Sequence, residues 1–286
     1  MTTLTKQEVP DVSVIVPARN EEACLGACLD SLLAQTGVDF EIIVVDDQST
    51  DRTREIAASR AGVQVIEAGP LGEGCSGKCN AAQSGANVAG GAWLLFTDAD
   101  TVHLPGSLER SLREAREHRV ALLSYSPAQE VHGLNENAVM PVIYAELAAT
   151  YRPQEVCDPA SEVAAANGQY LLITRAAYDA VGGHAAVSHT LLEDVALAKA
   201  VKRSGRKVRF RFGGDAVRTR MYRTWHDLRD GWTKNLALLF PQTLRLAAIR
   251  GIEFLLAAGG IGAFVAGLAT GHYVLLGTGA GVAVPT

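Results

Sequence analysis

Charged residues vanish from the end of this chain: from Phe254 to Thr286 the only side chain that titrates near neutral pH is His272. That gap is long enough for one transmembrane helix of about 20 residues and part of a second. The same run holds seven alanines and eight glycines, which suit close helix packing, so a buried hairpin is the competing reading. Cysteine is scarce and odd in number, five in 286 residues, which argues against a disulfide framework. Two C-x-x-x-C pairs, Cys24/Cys28 and Cys75/Cys79, raise zinc as an option. Cys28, however, falls on the stripe Leu25, Cys28, Leu29, Leu32 and Leu33 of an amphipathic helix, so core thiols are expected. The stretch Met1 to Asp11 is polar and has no apolar core, so no secretory leader is expected. Internal repeats and low-complexity linkers are missing, apart from the Gly/Ala bias of the tail. A net charge of −5 without a recognised binding module makes nucleic acid a poor partner.

What charge there is lies unevenly. Residues 199–250 hold 14 of the 26 Lys and Arg and only three acids, Asp215, Asp227 and Asp230, a local charge of +11. A basic block just before an apolar run fits the positive-inside rule and a surface facing anionic lipid. Lys199, Lys202 and Lys207 are read instead as a solvated face.

The body of the chain alternates. Strands are expected at 12–17, 40–45, 63–67, 92–97 and 120–125, and helices at 22–36, 51–60, 78–89 and 106–117. This pattern specifies βαβ units and an α/β fold with a doubly wound, mostly parallel sheet. Beyond Ser126 the rhythm breaks, with helices expected at 135–150 and 192–204 and strands at 170–174 and 207–211. Residues 224–248 carry Leu228, Trp232, Leu236, Leu239 and Phe240 between basic residues, which reads as one amphipathic helix lying on a bilayer. The expected domains are a polar tail, 1–11; the α/β domain, 12–223; an interfacial helix, 224–250; and membrane-spanning segments, 251–286.

Three acidic clusters carry the chemistry: Val44 to Asp51 (VVDDQSTD), Phe96 to Asp100 (FTDAD) and Leu191 to Leu197 (LLEDVAL). The first two end apolar runs, which places them at the carboxyl edge of the sheet, where open α/β sheets bind ligands. The third begins a helix. Together with Val12 to Glu22 (VSVIVPARNEE), these elements resemble the family-2 inverting glycosyltransferases of the GT-A fold, over roughly residues 12–240. The order of the elements is the family's, which makes four weak motifs a strong one. Gly231-Trp-Thr-Lys resembles the subgroup that glycosylates ceramide, hopanoid and carotenoid-type lipids.

The resemblance implies a nucleotide-sugar donor, a UDP-sugar, and a lipid acceptor. It places Pro17, Ala18 and Glu21 in the uridine pocket. Asp46 and Asp47 end the second strand, where a carboxylate can accept from uracil N3–H or a ribose hydroxyl; alternatively one of them caps the next helix. Lys78 follows a Gly-rich turn into a helix and is either a diphosphate or base contact or a solvated residue. Many relatives carry Trp where Cys75 stands. Asp98 and Asp100, two apart on an extended strand end, face one way and can hold Mg2+ or Mn2+ with a diphosphate. Asp100 is the metal ligand of the pair and Asp98 also a ribose or nucleotide contact. His103 nearby reads as an ordinary loop histidine. Asp194 lies one turn before Ala198, on the inward face of its helix, and is the expected catalytic base, while Glu193 points elsewhere. Trp232 takes the place of a family tryptophan or is an interfacial anchor. Gly231 stands where the family has arginine, so Arg220, Arg223 or Lys234 is expected to supply that positive charge.

The function expected is metal-dependent, inverting transfer of a sugar to a lipid at the cytosolic membrane face. A processive polysaccharide synthase is the second enzyme reading, but no translocation apparatus is evident. A non-catalytic nucleotide-sugar-binding membrane subunit would not need Asp98, Asp100 and Asp194 together. A glycosidase would use two carboxylates but has no reason for the nucleotide-pocket motif.

Overall fold

The computed structural model describes residues 9–221, 224–240 and 243–270, with the side chains of 227, 234, 235, 237, 243 and 261–270 left undescribed. By contact the chain divides into two units, Met1–Leu228 and Arg229–Thr286.

The first unit begins with the expected alternation: β1 (Val12–Ala18), α1 (Leu25–Leu33), β2 (Phe40–Asp46), α2 (Thr53–Ala58), β3 (Val63–Glu67), α3 (Gly77–Val88) and β4 (Trp93–Phe96). It continues through β5 (Thr101–His103), α4 (Ser107–Glu117), β6 (Leu122–Ser126), β7 (Ala128–Gln129), α5 (Gly133–Thr150), α6 (Pro153–Cys157) and β8 (Leu171–Thr174). After these come α7 (Arg175–Ala180), a 3-10 turn at His184–Val187, α8 (Glu193–Arg203), β9 (Val208–Phe212) and β10 (Val217–Thr219). Seven strands form one sheet in the order β3-β2-β1-β4-β8-β6-β9, and only β8 runs antiparallel to its neighbours.

Successive side chains of a strand face opposite sides, and β1 shows what this does. Val12, Val14 and Val16 pack with Leu25, Leu29 and Leu32 of α1 and Leu108 and Leu112 of α4. Ile15 faces the other way, with Ile43 and Val45, against α3, α7 and α8. Leu25, Leu29 and Leu32 are fully buried, each stabilising by roughly 1.5–3 kcal/mol. Gly85 lets α3 settle close to the sheet, since a Cβ there would overlap Ile15 and crowd Val45. Cys28 is buried with its stripe, as expected, while Leu33 at the stripe's edge is 39% exposed.

The strand order places a crevice. From β1 the chain builds β2 and β3 on one side, then crosses to β4 on the other, so connections reverse at the β1/β4 boundary. Because β8 is antiparallel, with Leu171 opposite Phe96, the residues before it arrive at the same edge. A three-stranded sheet, β5-β10-β7, stands beside that edge.

Part of the basic block is internal to the fold. Arg209 and Arg211 lie 2.6 and 3.0 Å from Glu114, which also accepts from the Tyr125 hydroxyl. Lys202 is not a solvated lysine: Nζ donates to the carbonyls of Glu155, Val156 and Val163 at 3.2, 2.8 and 2.6 Å.

The expected helix over 224–248 is two helices, α9 (Trp225–Leu239) and α10 (Thr243–Thr270). Pro241 lies between them, and proline disfavours an α conformation for the residue before it. Among the described residues no helix is long and apolar enough to cross a membrane. The spanning segment expected over 251–286 is thus not found among the described residues, and 271–286 lies outside them. Arg245, Arg250 and Glu253 stand in the first half of α10 and interrupt its apolar run.

Candidate active site

A cleft of about 340 Å³ opens at the crevice. Pro17 and Ala18 at the end of β1, with Arg19 and Glu21 just after it, line one part of the cleft. Gly77, Lys78 and Ala81 of α3 line it as well, with Asp47, Asp98, Ala99 and Asp100. Ser76 caps α3 by accepting from Cys79 N–H at 3.1 Å, so the helix presents its positive end here. A Cβ at position 77 would overlap Asp47 Oδ2, so glycine there lets the Asp47 carboxylate sit against the start of α3.

The two acids that end β2 separate. Asp47 lines the cleft, with its carboxylate 3.6 Å from Arg19. Asp46 is buried; it accepts from Ser49 N–H at 3.2 Å and sits 3.7 Å from Arg54. Asp46 therefore secures the turn leading to α2, and the acid facing the cleft is Asp47.

Asp98 and Asp100 do not share an extended strand. β4 ends at Phe96, and Asp98-Ala99-Asp100 form a turn closed by Thr101 N–H to Asp98 O at 3.2 Å. Both acids nevertheless reach the cleft, and Ala99 between them also lines it with its methyl packed against the core. Burial raises the pKa of Asp100 and Asp98 raises it further, opposed by a hydrogen bond with Thr219. Thr219 Oγ1 itself accepts from Gln169 Nε2 at 3.2 Å. Asp100 Oδ1 is buried with no partner among the described residues. A buried carboxylate oxygen in that state fits a hard divalent cation, with Asp98 as the second oxygen donor.

Lys78 joins the acids into one cluster. Nζ lies 2.7 Å from Asp98 Oδ1 and 3.7 Å from Glu193 Oε1. Burial pulls the ammonium's pKa down, but the carboxylates of Asp98, Glu193 and Asp194 outweigh it and hold the group above its ordinary value. Glu193 does not point away. It is the first residue of α8, where the preceding Leu192 is not helical, so face assignments by helical period do not reach it.

Asp194 Oδ2 accepts from Gly168 N–H at 2.9 Å and Oδ1 from Val195 N–H at 2.7 Å. Burial, and next the charge of Glu193, push its pKa to about 6, against the pull of Lys78. A carboxylate so tuned is ionised at neutral pH yet basic enough to take a proton.

Two histidines differ from expectation. His103 is on β5, not in a loop; it is buried, its Nε2 lies 3.1 Å from Thr97 Oγ1, and burial lowers its pKa to about 3. It is a neutral core residue. His184, which no sequence motif marked, lines a small inner cavity with Lys78, Asp98 and Asp194. Of the residues expected to supply positive charge, Arg220 follows β10 with its Nε buried and without a partner among the described residues. Arg223 lies outside the described residues. Trp232 is buried within α9, and the Lys234 side chain is not described.

The family-model match settles what these elements are: the Glycosyl transferase family 2 model covers residues 13–179. The chain belongs to glycosyl transferase family 2. It is similar to a 4,4'-diaponeurosporenoate glycosyltransferase of Staphylococcus haemolyticus, 31% identical over 231 residues, covering 79% of this chain and 61% of that protein. A PGL/p-HBAD biosynthesis glycosyltransferase of Mycobacterium bovis is 38% identical over 120 residues, 41% of this chain and 46% of that one. The chain thus spans less than two thirds of the length of these family-2 relatives. Among solved structures, a mannosyltransferase from Pyrobaculum calidifontis in complex with GDP-Man and Mn2+ superposes with a TM-score of 0.62 at 20% identity, over 84% of this chain and 65% of that one. Glucosyl-3-phosphoglycerate synthase from Mycobacterium tuberculosis, with Mn2+, UDP and phosphoglyceric acid, gives 0.52 at 21% identity, over 77% and 73%. These likenesses establish the GT-A fold.

Proposed function

We propose that this family-2 protein transfers a sugar from a UDP-sugar to a hydroxyl or carboxyl of a lipid, with inversion, at the cytosolic face of a membrane. The observation that carries the reading is the continuous arrangement of Asp47, Lys78, Asp98, Asp100 and Asp194 around one crevice at the β1/β4 boundary. The β1 loop and Asp47 bind the nucleotide. Lys78 and the start of α3 hold the diphosphate. Asp98 and Asp100 would hold Mg2+ or Mn2+, which when bound would supply charge that offsets the departing diphosphate. Asp194 takes the proton from the acceptor oxygen as it attacks.

A lipid acceptor is supported by the relative named for 4,4'-diaponeurosporenoate and by the apolar residues of α10. The cationic stretch 199–250 supports an anionic membrane surface as a partner, less the cations engaged within the fold. Mass spectrometry of lipids from cells with and without the gene tests the acceptor. A glycolipid lost with the gene is expected. Unchanged lipids alongside a lost polysaccharide would replace this reading with a polymer synthase.

A further inference from the structure

Beyond the cleft lies a second cavity of about 20 Å³, room for a single oxygen atom rather than a ring. It shares Pro17, Lys78 and Asp98 with the cleft and is closed by Phe96, His184 and Asp194. His184 is 5% exposed, and its protonation can be read from its neighbours. Ala185 N–H donates to Gln83 Oε1 at 3.0 Å, which fixes that amide's orientation. The Tyr178 hydroxyl donates to the same oxygen at 3.1 Å, so Tyr178 Oη has only lone pairs left. Those lone pairs accept from His184 N–H at 3.0 Å and from His184 Nδ1 at 2.9 Å. Nδ1 therefore carries the proton, and Nε2 is an acceptor with no hydrogen-bond partner among the described residues.

We propose that His184 is a specificity-determining residue for the donor: its Nε2 accepts a hydrogen bond from one hydroxyl of the transferred sugar, seated in the inner cavity. The inference rests on the nucleotide-sugar reading of the cleft. A sugar whose diphosphate lies at Lys78 and Asp98 reaches this cavity directly, because both residues line both spaces. The volume admits a hydroxyl but not a ring, so the sugar ring stays in the cleft. The Lys78 ammonium donates to the same hydroxyl oxygen, and the hydroxyl proton is left for Nε2. A sugar that lacks this hydroxyl, or carries it in the opposite configuration, leaves the Nε2 lone pair without its donor. Burial keeps the imidazole neutral, which suits an acceptor placed beside carboxylates and a cation.

Calorimetry with Mn2+ tests this, using UDP, GDP, UDP-glucose, UDP-galactose, UDP-N-acetylglucosamine and GDP-mannose as probes. Wild-type protein should prefer one sugar nucleotide over its epimers by about tenfold. In His184→Phe, which keeps a ring against Phe96 but has no lone pair, that preference should collapse to within about twofold, with the free nucleotide bound as before. His184→Gln, which retains an acceptor oxygen, should keep part of it. A preference that survives in His184→Phe overturns the proposal, as does wild-type protein that does not discriminate among the sugars, or a variant that loses free nucleotide in parallel. Wild-type protein that binds neither UDP nor GDP overturns the donor reading itself.

Discussion

Lys78 Nζ and Asp98 Oδ1 are 2.7 Å apart, although one begins a helix and the other follows a strand on the far side of it. The contact makes Lys78 the common counter-ion of the donor side and of Glu193 and Asp194. Lys78→Met should weaken UDP binding about tenfold or more, since a charge-assisted phosphate contact is lost. It should also move the acid limb of the transfer rate to higher pH, because Lys78 lowers the pKa of Asp194. Weaker binding with an unmoved pH limb would separate Lys78 from the base.

Asp100 and Thr219 should report on the metal from opposite directions. Asp100→Asn removes a carboxylate and should abolish the effect of Mn2+ on UDP affinity. Thr219→Val removes the hydroxyl that lowers the pKa of Asp100, so it should weaken Mn2+ by several-fold while leaving metal-free UDP affinity intact. Thr219→Ser should restore it. Calorimetry of UDP with and without Mn2+ gives all three answers, and metal dependence unchanged in Asp100→Asn would remove Asp100 from the site.

Asp194 predicts a pH profile as well as a loss. Its pKa of about 6 means that transfer should rise with pH through that value as the base ionises. Asp194→Asn should keep UDP affinity and lose about 10²–10⁴ in rate. Stability should show the same group with a definite sign. The folded carboxyl holds its proton above the ordinary value of 3.8, so between about 4 and 6 the native state binds more protons than the unfolded one. Its contribution is then present at low pH and lost as pH rises through 6. The Tm of Asp194→Asn relative to wild type should therefore increase from pH 4 to pH 8. The opposite trend would mean that Asp194 is stabilised as an anion.

The first half of the fold is legible because its strands are apolar, β-branched runs with turn residues between them, and β3 falls at 63–67 as expected. The β5-β10-β7 sheet is not, since strands of two or three residues have no period to detect. Its consequence, Thr219 beside Asp100, was hidden with it. The acids of the site are legible as motifs, but their directions are set by turns: Asp46 turns inward to Arg54, and Glu193 turns to Lys78. His184 needs Tyr178, Gln83 and the 3-10 turn before its free nitrogen has meaning, and those partners lie up to 102 residues apart.

Lys202 offers a test of the fold that leaves the chemistry aside. Its ammonium ends the backbone of α6 and the segment after it by donating to three carbonyls, from 2.6 to 3.2 Å. Burial lowers its pKa, partly offset by Asp158, so the charge is held at some cost. Lys202→Met keeps the aliphatic stem and leaves those carbonyls without their donor, which should destabilise by about 1–3 kcal/mol. Urea unfolding checks the size, and UDP affinity should be unchanged because Lys202 does not line the cleft. A variant as stable as wild type would mean that solvent satisfies the carbonyls equally well.

Stereochemistry tests the catalytic assignment as a whole. Asp47, Asp98 and Asp100 line the cleft, and Asp194 is the carboxylate of the inner cavity whose environment raises its basicity. A double displacement needs an enzyme nucleophile at the anomeric carbon on the face opposite the diphosphate, and then a second attack that restores the configuration. Glu193, the other carboxylate at the inner cavity, is 3.7 Å from Lys78 and paired there, so it is poorly suited to that attack. With Asp194 acting as base, a single in-line displacement follows, the acceptor oxygen entering as the diphosphate leaves. An α-linked UDP-sugar should give a β-glycoside whatever lipid accepts it. Proton NMR of the purified product reads this from the anomeric coupling. An α-linked product from an α-linked donor would move Asp194, or Glu193, from base to nucleophile.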